Sequence, residues 1–241
     1  MQGRRSNRKK GAFGALAAAL IVGLAVLALV SVVGSSGADA SSDKAGGVPY
    51  SPGKAGQEGL TLGDPGAPVD LYEYCDLESP ICRQFAEVVL PKVIRDEVDT
   101  GKAQVTFRNF MIMGPGSPAA AAAAIAAGEQ GDGWSFVEAF YRGRGKRDAG
   151  SAGDAYLEAT ATAAGVEDLA RWNAARASQA VQAQAKASTK EAEGLGLIGT
   201  PSFAVKGPGT DGLQVVEGPE KIRQTSAVVA ALEGAIDQAA G

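Results

Sequence analysis

The 241-residue chain carries two cysteines, Cys75 and Cys82, and no histidine. These counts bound its chemistry. Without histidine there is no Ser-His-Asp triad and no Cys-His pair to activate a hydroxyl or a thiol. Zinc or iron held by histidine is ruled out too, and two thiols do not build a four-cysteine site. No metal and no cofactor is expected. Reactions must run on thiols, carboxylates, hydroxyls or backbone groups. Both thiols lie in YEYCDLESPICRQF (72–85), where Glu73 precedes Cys75 and Ser79-Pro80 precedes Cys82.

The elements that position these residues are legible on either side. Val69 to Tyr74 (VDLYEY) alternates apolar and acidic residues, the pattern of a strand. Ser79 is a good helix N-cap and Pro80 suits the first helical position. ICRQFAEVVLPKVIRDEV follows, with apolar residues at 81, 85, 88, 89 and 93 at near-helical spacing and a kink expected at Pro91. Ala103–Asn109 (AQVTFRN) alternates again. A β-α-β order implies parallel strands with a right-handed crossover. Residues 117–193 then read as helices: an alanine run from Ser117-Pro118, an aromatic stripe of Trp134, Phe136, Phe140 and Tyr141 that reads as core, then 156–164, 166–177 and 181–194. Strand signals return at 202–205 and 213–216, joined by a loop containing GPGTDG. Gly218-Pro219 starts a last helix to about 239.

The N-terminal residues set the compartment. Residues 1–10 hold five of the 23 basic residues and no acid, which leaves 18 basic against 27 acidic residues beyond them. An acidic body lacks the basic face that nucleic acid requires, so no nucleic-acid partner is expected. Gly11 to Gly34 carries no charge, and about 20 apolar residues span a bilayer. The chain thus reads as a basic cytoplasmic tail (1–10), a single-pass transmembrane anchor (11–34), a flexible Gly/Ser/Ala-rich linker (35–57) and an extracytoplasmic domain (58–239). The rival is a signal peptide cleaved at Ala38-Asp39-Ala40, although the apolar run exceeds the roughly 7–15 residues of a signal core. Both place the domain where disulfides persist.

Two segments carry a family resemblance. YEYCDLESPICRQF resembles the strand and active-site helix of DsbA-like proteins, whose pattern is xEFxDxxCPxC. GLIGTPSF (196–203) is similar to that family's GVxGTPxF loop. DTGKAQVTFRNF (99–110) and AAGEQG (126–131) resemble its second core strand and the start of its helical insertion. The resemblance covers roughly residues 58–238. It implies an α/β thioredoxin fold with an inserted helical subdomain, about 115–195, here preceded by one transmembrane helix. It implies that Glu73 is the buried acid beneath the thiol pair and that Pro80 is the proline inside the motif. Cys82 matches the buried resolving cysteine, and Thr200-Pro201 the cis-proline pair.

This chain departs from the family at Ser79, where the family has its nucleophilic cysteine. A serine hydroxyl does not replace a thiolate in disulfide exchange. Cys75 stands four residues earlier, at a position that lines the floor of the family's active site. Three states are open for Cys75 and Cys82: a relocated redox-active disulfide with Glu73 as proton acceptor, a structural disulfide, or two free thiols. The resemblance implies a thiol–disulfide oxidoreductase-like protein of the cell envelope, acting on exported proteins or peptides with a membrane redox partner. The alternative is a redox-inactive binding or chaperone module. A peroxide-reducing thiol at Cys82 is a weaker third reading, since that chemistry wants an exposed cysteine.

Overall fold

The computed structural model describes residues 56–144, 152–217 and 225–241. Six strands form one sheet in the order β1-β2-β4-β3-β5-β6. They are β1 (Gln57–Glu58), β2 (Thr61–Leu62), β3 (Val69–Cys75), β4 (Ala103–Asn109), β5 (Ser202–Lys206) and β6 (Gln214–Val215). The central pair, β3 and β4, is parallel and in register from Val69↔Ala103 to Cys75↔Asn109. Strand β5 runs antiparallel to β3, and β6 antiparallel to β5. Alternation along β3 and β4 sends Val69, Leu71, Glu73, Cys75, Val105, Phe107 and Asn109 to one face. All seven are buried there.

Helix α1 (Pro80–Val88) and helix α8 (Thr225–Ala240) cover that face, placing Phe85, Val228, Leu232 and Ile236 in the same apolar core as Leu71 and Phe107. The opposite face packs on α7 (Gln179–Gly194), where Tyr74, Phe110, Ala192 and Ala204 cluster. Between β4 and β5 the chain builds a helical insertion of α3 (Ser117–Gly128), α4 (Gly133–Arg144), α5 (Asp154–Ala164), α6 (Leu169–Ala177) and α7. Its centre is the alanine helix α3, whose residues from Ala120 to Ala127 are all buried. Small side chains let α4, α6 and α7 approach its backbone closely, and Trp172 donates its indole N–H to the Ala123 carbonyl at 2.9 Å. The stripe of Trp134, Phe136, Phe140 and Tyr141 is buried.

Some expectations shift. The first helix breaks at Val89, two residues before Pro91, because proline favours the start of a helical segment. Pro91 enters the short α2 (Leu90–Val93), and the chain continues as a π-helical turn (Ile94–Val98). Of the apolar positions expected to face the core, Ile81 and Val88 are exposed. The buried stripe is Cys82, Phe85, Val89 and Val93, at spacings of three and four. Residue 57, expected in the linker, lies in a strand. The β1–β2 hairpin turns through Gly59 (φ 57°), and the backbone of α4 meets it closely: a Cβ on Gly133 would sit 2.1 Å from the Gly59 carbonyl oxygen. The apolar run 11–34 and the expected helix start at Gly218-Pro219 lie outside the described residues. Among the described residues, no helix is long and apolar enough to cross a membrane.

Candidate functional site

The site forms where β3 ends and α1 begins. The Cys75 and Cys82 sulfurs are joined in a disulfide, with Cα atoms 5.9 Å apart, inside the usual span of about 4.4–6.8 Å. Cys75 is the last residue of β3 and Cys82 the third of α1, so the bond ties sheet to helix. Both cysteines are 0% exposed. Ser79 is the N-cap: its backbone is extended, and its Oγ accepts from the Cys82 N–H at 3.3 Å. The hydroxyl is therefore engaged with the helix start, and the residue is buried.

Glu73 lies on the same face as Cys75, two residues earlier. It is 1% exposed, and neither carboxyl oxygen has a hydrogen-bond partner among the described residues. Burial penalises the charged form and pushes its pKa up to about 8. The carboxyl is therefore protonated near neutral pH. Burial also pushes the Tyr141 phenol up, with Glu73 and Asp76 adding to the shift. On the other side of β3, the Thr200-Pro201 peptide is cis. Strand β5 pairs Ser202 with Tyr74, so continuing that register sets Pro201 opposite Cys75. The Phe85 and Phe203 rings pack at 4.8 Å over the face that carries Glu73.

The sequence reading did not single out the buried polar frame around these residues. Asp76 accepts from the Glu78 N–H at 2.9 Å with one oxygen. Its other oxygen accepts from the Ile112 and Met113 N–H groups, both at 2.8 Å. It thereby locks the loop after β4 against the loop after β3. Tyr141 donates its hydroxyl to the Asp76 carbonyl at 3.3 Å. Glu78, buried just before the N-cap, pairs with Arg144 at the end of α4; Nη1 reaches Oε1 at 2.7 Å, and Nη2 bonds Oε2. Asn109, in register with Cys75, is buried, and its Nδ2 has no partner among the described residues. Asp76 was findable from its place in a tight loop, where aspartate often bonds backbone two residues on. Arg144 carried no such signal, being 66 residues from its partner. Around this frame Ile81, Ile112, Met113 and Ile198 are exposed, Ile198 at 98%.

A parallel β-α-β core extended by an antiparallel hairpin, a helical insertion, and a disulfide at a helix start facing a cis-proline define a thioredoxin-fold protein of the helix-inserted type. The family model described as thioredoxin matches residues 55–223. The chain therefore belongs to the thioredoxin family. Among curated proteins it is 36% identical over 88 residues to a probable disulfide bond formation protein D of Bacillus anthracis, covering 36% of this chain and 41% of that one. The match spans less than half the length of that relative. Among solved structures, oxidised BdbD from Bacillus subtilis superposes with a TM-score of 0.63 at 19% identity, over 77% of this chain and 96% of that one. A thioredoxin-like oxidoreductase from Silicibacter pomeroyi DSS-3 superposes with a TM-score of 0.56 at 29% identity, over 74% and 90%. The first of these shares the fold.

Proposed function

We propose that the chain is an extracytoplasmic thiol–disulfide oxidoreductase of the DsbA kind, working through the Cys75–Cys82 disulfide on exported polypeptides. Residues 11–34 anchor it as a single-pass protein with its N-terminus in the cytoplasm, and a membrane redox partner resets the cysteine pair. One observation carries the redox reading: an ionisable carboxyl, Glu73, is buried without a partner beside the disulfide. Such a group is costly to keep. It can take up and return a proton as the sulfurs change state. Catalytic roles fall to Cys82, Cys75 and Glu73. Ser79 and Pro80 start the helix, and Thr200 and Pro201 close the site from the opposite strand. The exposed Ile81, Ile112, Met113 and Ile198 offer an apolar rim to an unfolded chain.

Because neither sulfur is exposed, exchange requires the first turn of α1 to move outward. This burial favours a second reading, in which the disulfide is a staple and the rim binds polypeptide without turnover. Insulin reduction and the oxidation of a reduced, unfolded polypeptide by the full-length chain decide between them. The oxidoreductase reading expects activity that Cys75→Ser abolishes. Activity unchanged by Cys75→Ser, or a reduction potential below about −300 mV, the range of structural disulfides, would overturn it in favour of the binding module. Intact mass of the mature protein tests the anchor, since cleavage after Ala40 would remove it.

A further inference from the structure

We propose that the two sulfurs divide their work by position: Cys82 takes the incoming thiol, and Cys75 is the sulfur that leaves, with Asn109 as its hydrogen-bond donor. The inference rests on the oxidoreductase reading and deepens it. It reverses the order expected of a Cys-Pro-x-Cys centre, where the residue at the position of Cys82 is the buried leaving partner.

The two sulfurs would meet different surroundings when the bond breaks. A leaving sulfur carries negative charge, and a buried one needs a donor or a proton. Cys75 ends β3 directly beside Asn109 of β4. The parallel register sends both side chains to one face, together with Glu73. On that face three buried polar atoms lack partners among the described residues: both Glu73 carboxyl oxygens and the Asn109 Nδ2. Native proteins seldom leave such groups unpaired, so each calls for a reason. Here a proton carrier two residues along the strand and an N–H donor at the paired position of the next strand share the face of the same sulfur, and neither has a partner while the disulfide is closed. Cys82 has different surroundings. It sits in the first turn of α1, where backbone N–H groups and the helix dipole favour a thiolate. Pro80 and Ile81 on that turn are exposed, whereas Asp76, Leu77, Glu78 and Ser79, which follow Cys75, are buried. An incoming polypeptide therefore reaches the bond from the Cys82 side.

The steps balance for a dithiol polypeptide substrate. Its first thiolate attacks the Cys82 Sγ and forms a mixed disulfide. The bonding pair of the Cys75–Cys82 bond moves to the Cys75 Sγ, which takes the Glu73 proton and accepts the Asn109 N–H. The second substrate thiol gives its proton to the Glu73 carboxylate and attacks its own sulfur in the mixed disulfide. Cys82 leaves as a thiolate at the helix start. The substrate is oxidised by two electrons and the cysteine pair is reduced by two.

The test uses the oxidised full-length chain and a synthetic peptide with one cysteine. After brief reaction, free thiols are blocked with N-ethylmaleimide and the digest is mapped. We expect the peptide on Cys82 and the maleimide on Cys75. Peptide predominantly on Cys75, or shared evenly, overturns the assignment while leaving the oxidoreductase reading intact. No adduct on either cysteine removes that reading and the assignment with it. Asn109→Leu keeps the packing but deletes the donor. It should disfavour the reduced pair by about tenfold, which is about 30 mV more negative for a two-electron couple. An unchanged potential in a folded Asn109→Leu protein refutes the role given to Asn109.

Discussion

Glu73→Met should stabilise the oxidised domain, by an amount that depends on pH in a calculable way. The Glu73 pKa is raised from 4.5 to about 8 by burial alone. In the unfolded chain the carboxyl ionises near its ordinary value, while in the folded domain it stays protonated until about pH 8. A raised folded pKa means that the native state holds the extra proton. The group's contribution is fully present below pH 4.5 and is lost as pH rises to about 8. Each unit is worth about 1.4 kcal/mol. At pH 7 the domain has lost about 3 kcal/mol relative to a chain with a neutral side chain there, at pH 8 about 4 kcal/mol, and well above pH 8 about 5 kcal/mol. Methionine fills similar volume without a charge. Urea denaturation of the oxidised full-length chain and of Glu73→Met, at half-unit steps from pH 4.5 to 8.5, measures the difference directly. We expect the stability gap to open with a slope near 1.4 kcal/mol per pH unit and to level off above pH 8. A gap that stays constant across this range would mean that Glu73 ionises normally in the folded protein, and the proton-carrier role would fall with it.

Other perturbations test the frame. Arg144→Met takes the bidentate guanidinium away from the buried Glu78 carboxylate, and should cost up to about 3–5 kcal/mol in denaturant titration; adding Glu78→Leu should recover most of that loss. Asp76→Ala removes the acceptor for three backbone N–H groups. It should cost at least about 2 kcal/mol and raise hydrogen exchange at the Ile112 and Met113 amides. Gly133→Ala forces a methyl into the Gly59 carbonyl and should lower stability by about 1–3 kcal/mol, read from the thermal midpoint. Ser79→Cys places a thiol at the helix N-cap and should raise insulin reduction at least about tenfold; no gain would count against a functional groove.

The elements were legible where local chemistry alone decides them. Ser79-Pro80 announced the start of α1, and the alternation in 69–74 and 103–109 announced the two central strands. The cysteines stood out because thiols are few and histidine is absent, and Glu73 because the resemblance to DsbA-like proteins places a buried acid at that position. What stayed hidden depends on sequence-distant neighbours. The β1–β2 hairpin has only two residues per strand, too short for a periodic signal, and it exists because β4 offers an edge and α4 a close-packed backbone. Ile81 and Val88 looked like core residues by type. The helix phase is instead set by Cys82, which the disulfide fixes against the sheet, and that rotates both to the surface. Asn109 read as the end of a strand; only its register with Cys75 gives it chemical meaning.

The buried polar groups around the disulfide divide into two kinds, and the division bears on function. Asp76, Glu78 and Arg144 are paired, and their bonds run between loops that come from different parts of the chain. Their satisfaction is that of a rigid frame. Glu73 and Asn109 are unpaired on the face that holds the disulfide. A domain that needed only a staple between strand and helix would be more stable with apolar residues at both positions, since each unpaired group carries a desolvation cost of about 1–3 kcal/mol. Here that cost falls on two positions of the Cys75 face, next to a frame in which Asp76, Glu78 and Arg144 are satisfied. The binding-only reading gives these groups no use, whereas disulfide exchange needs a proton carrier and a donor at the sulfur that leaves.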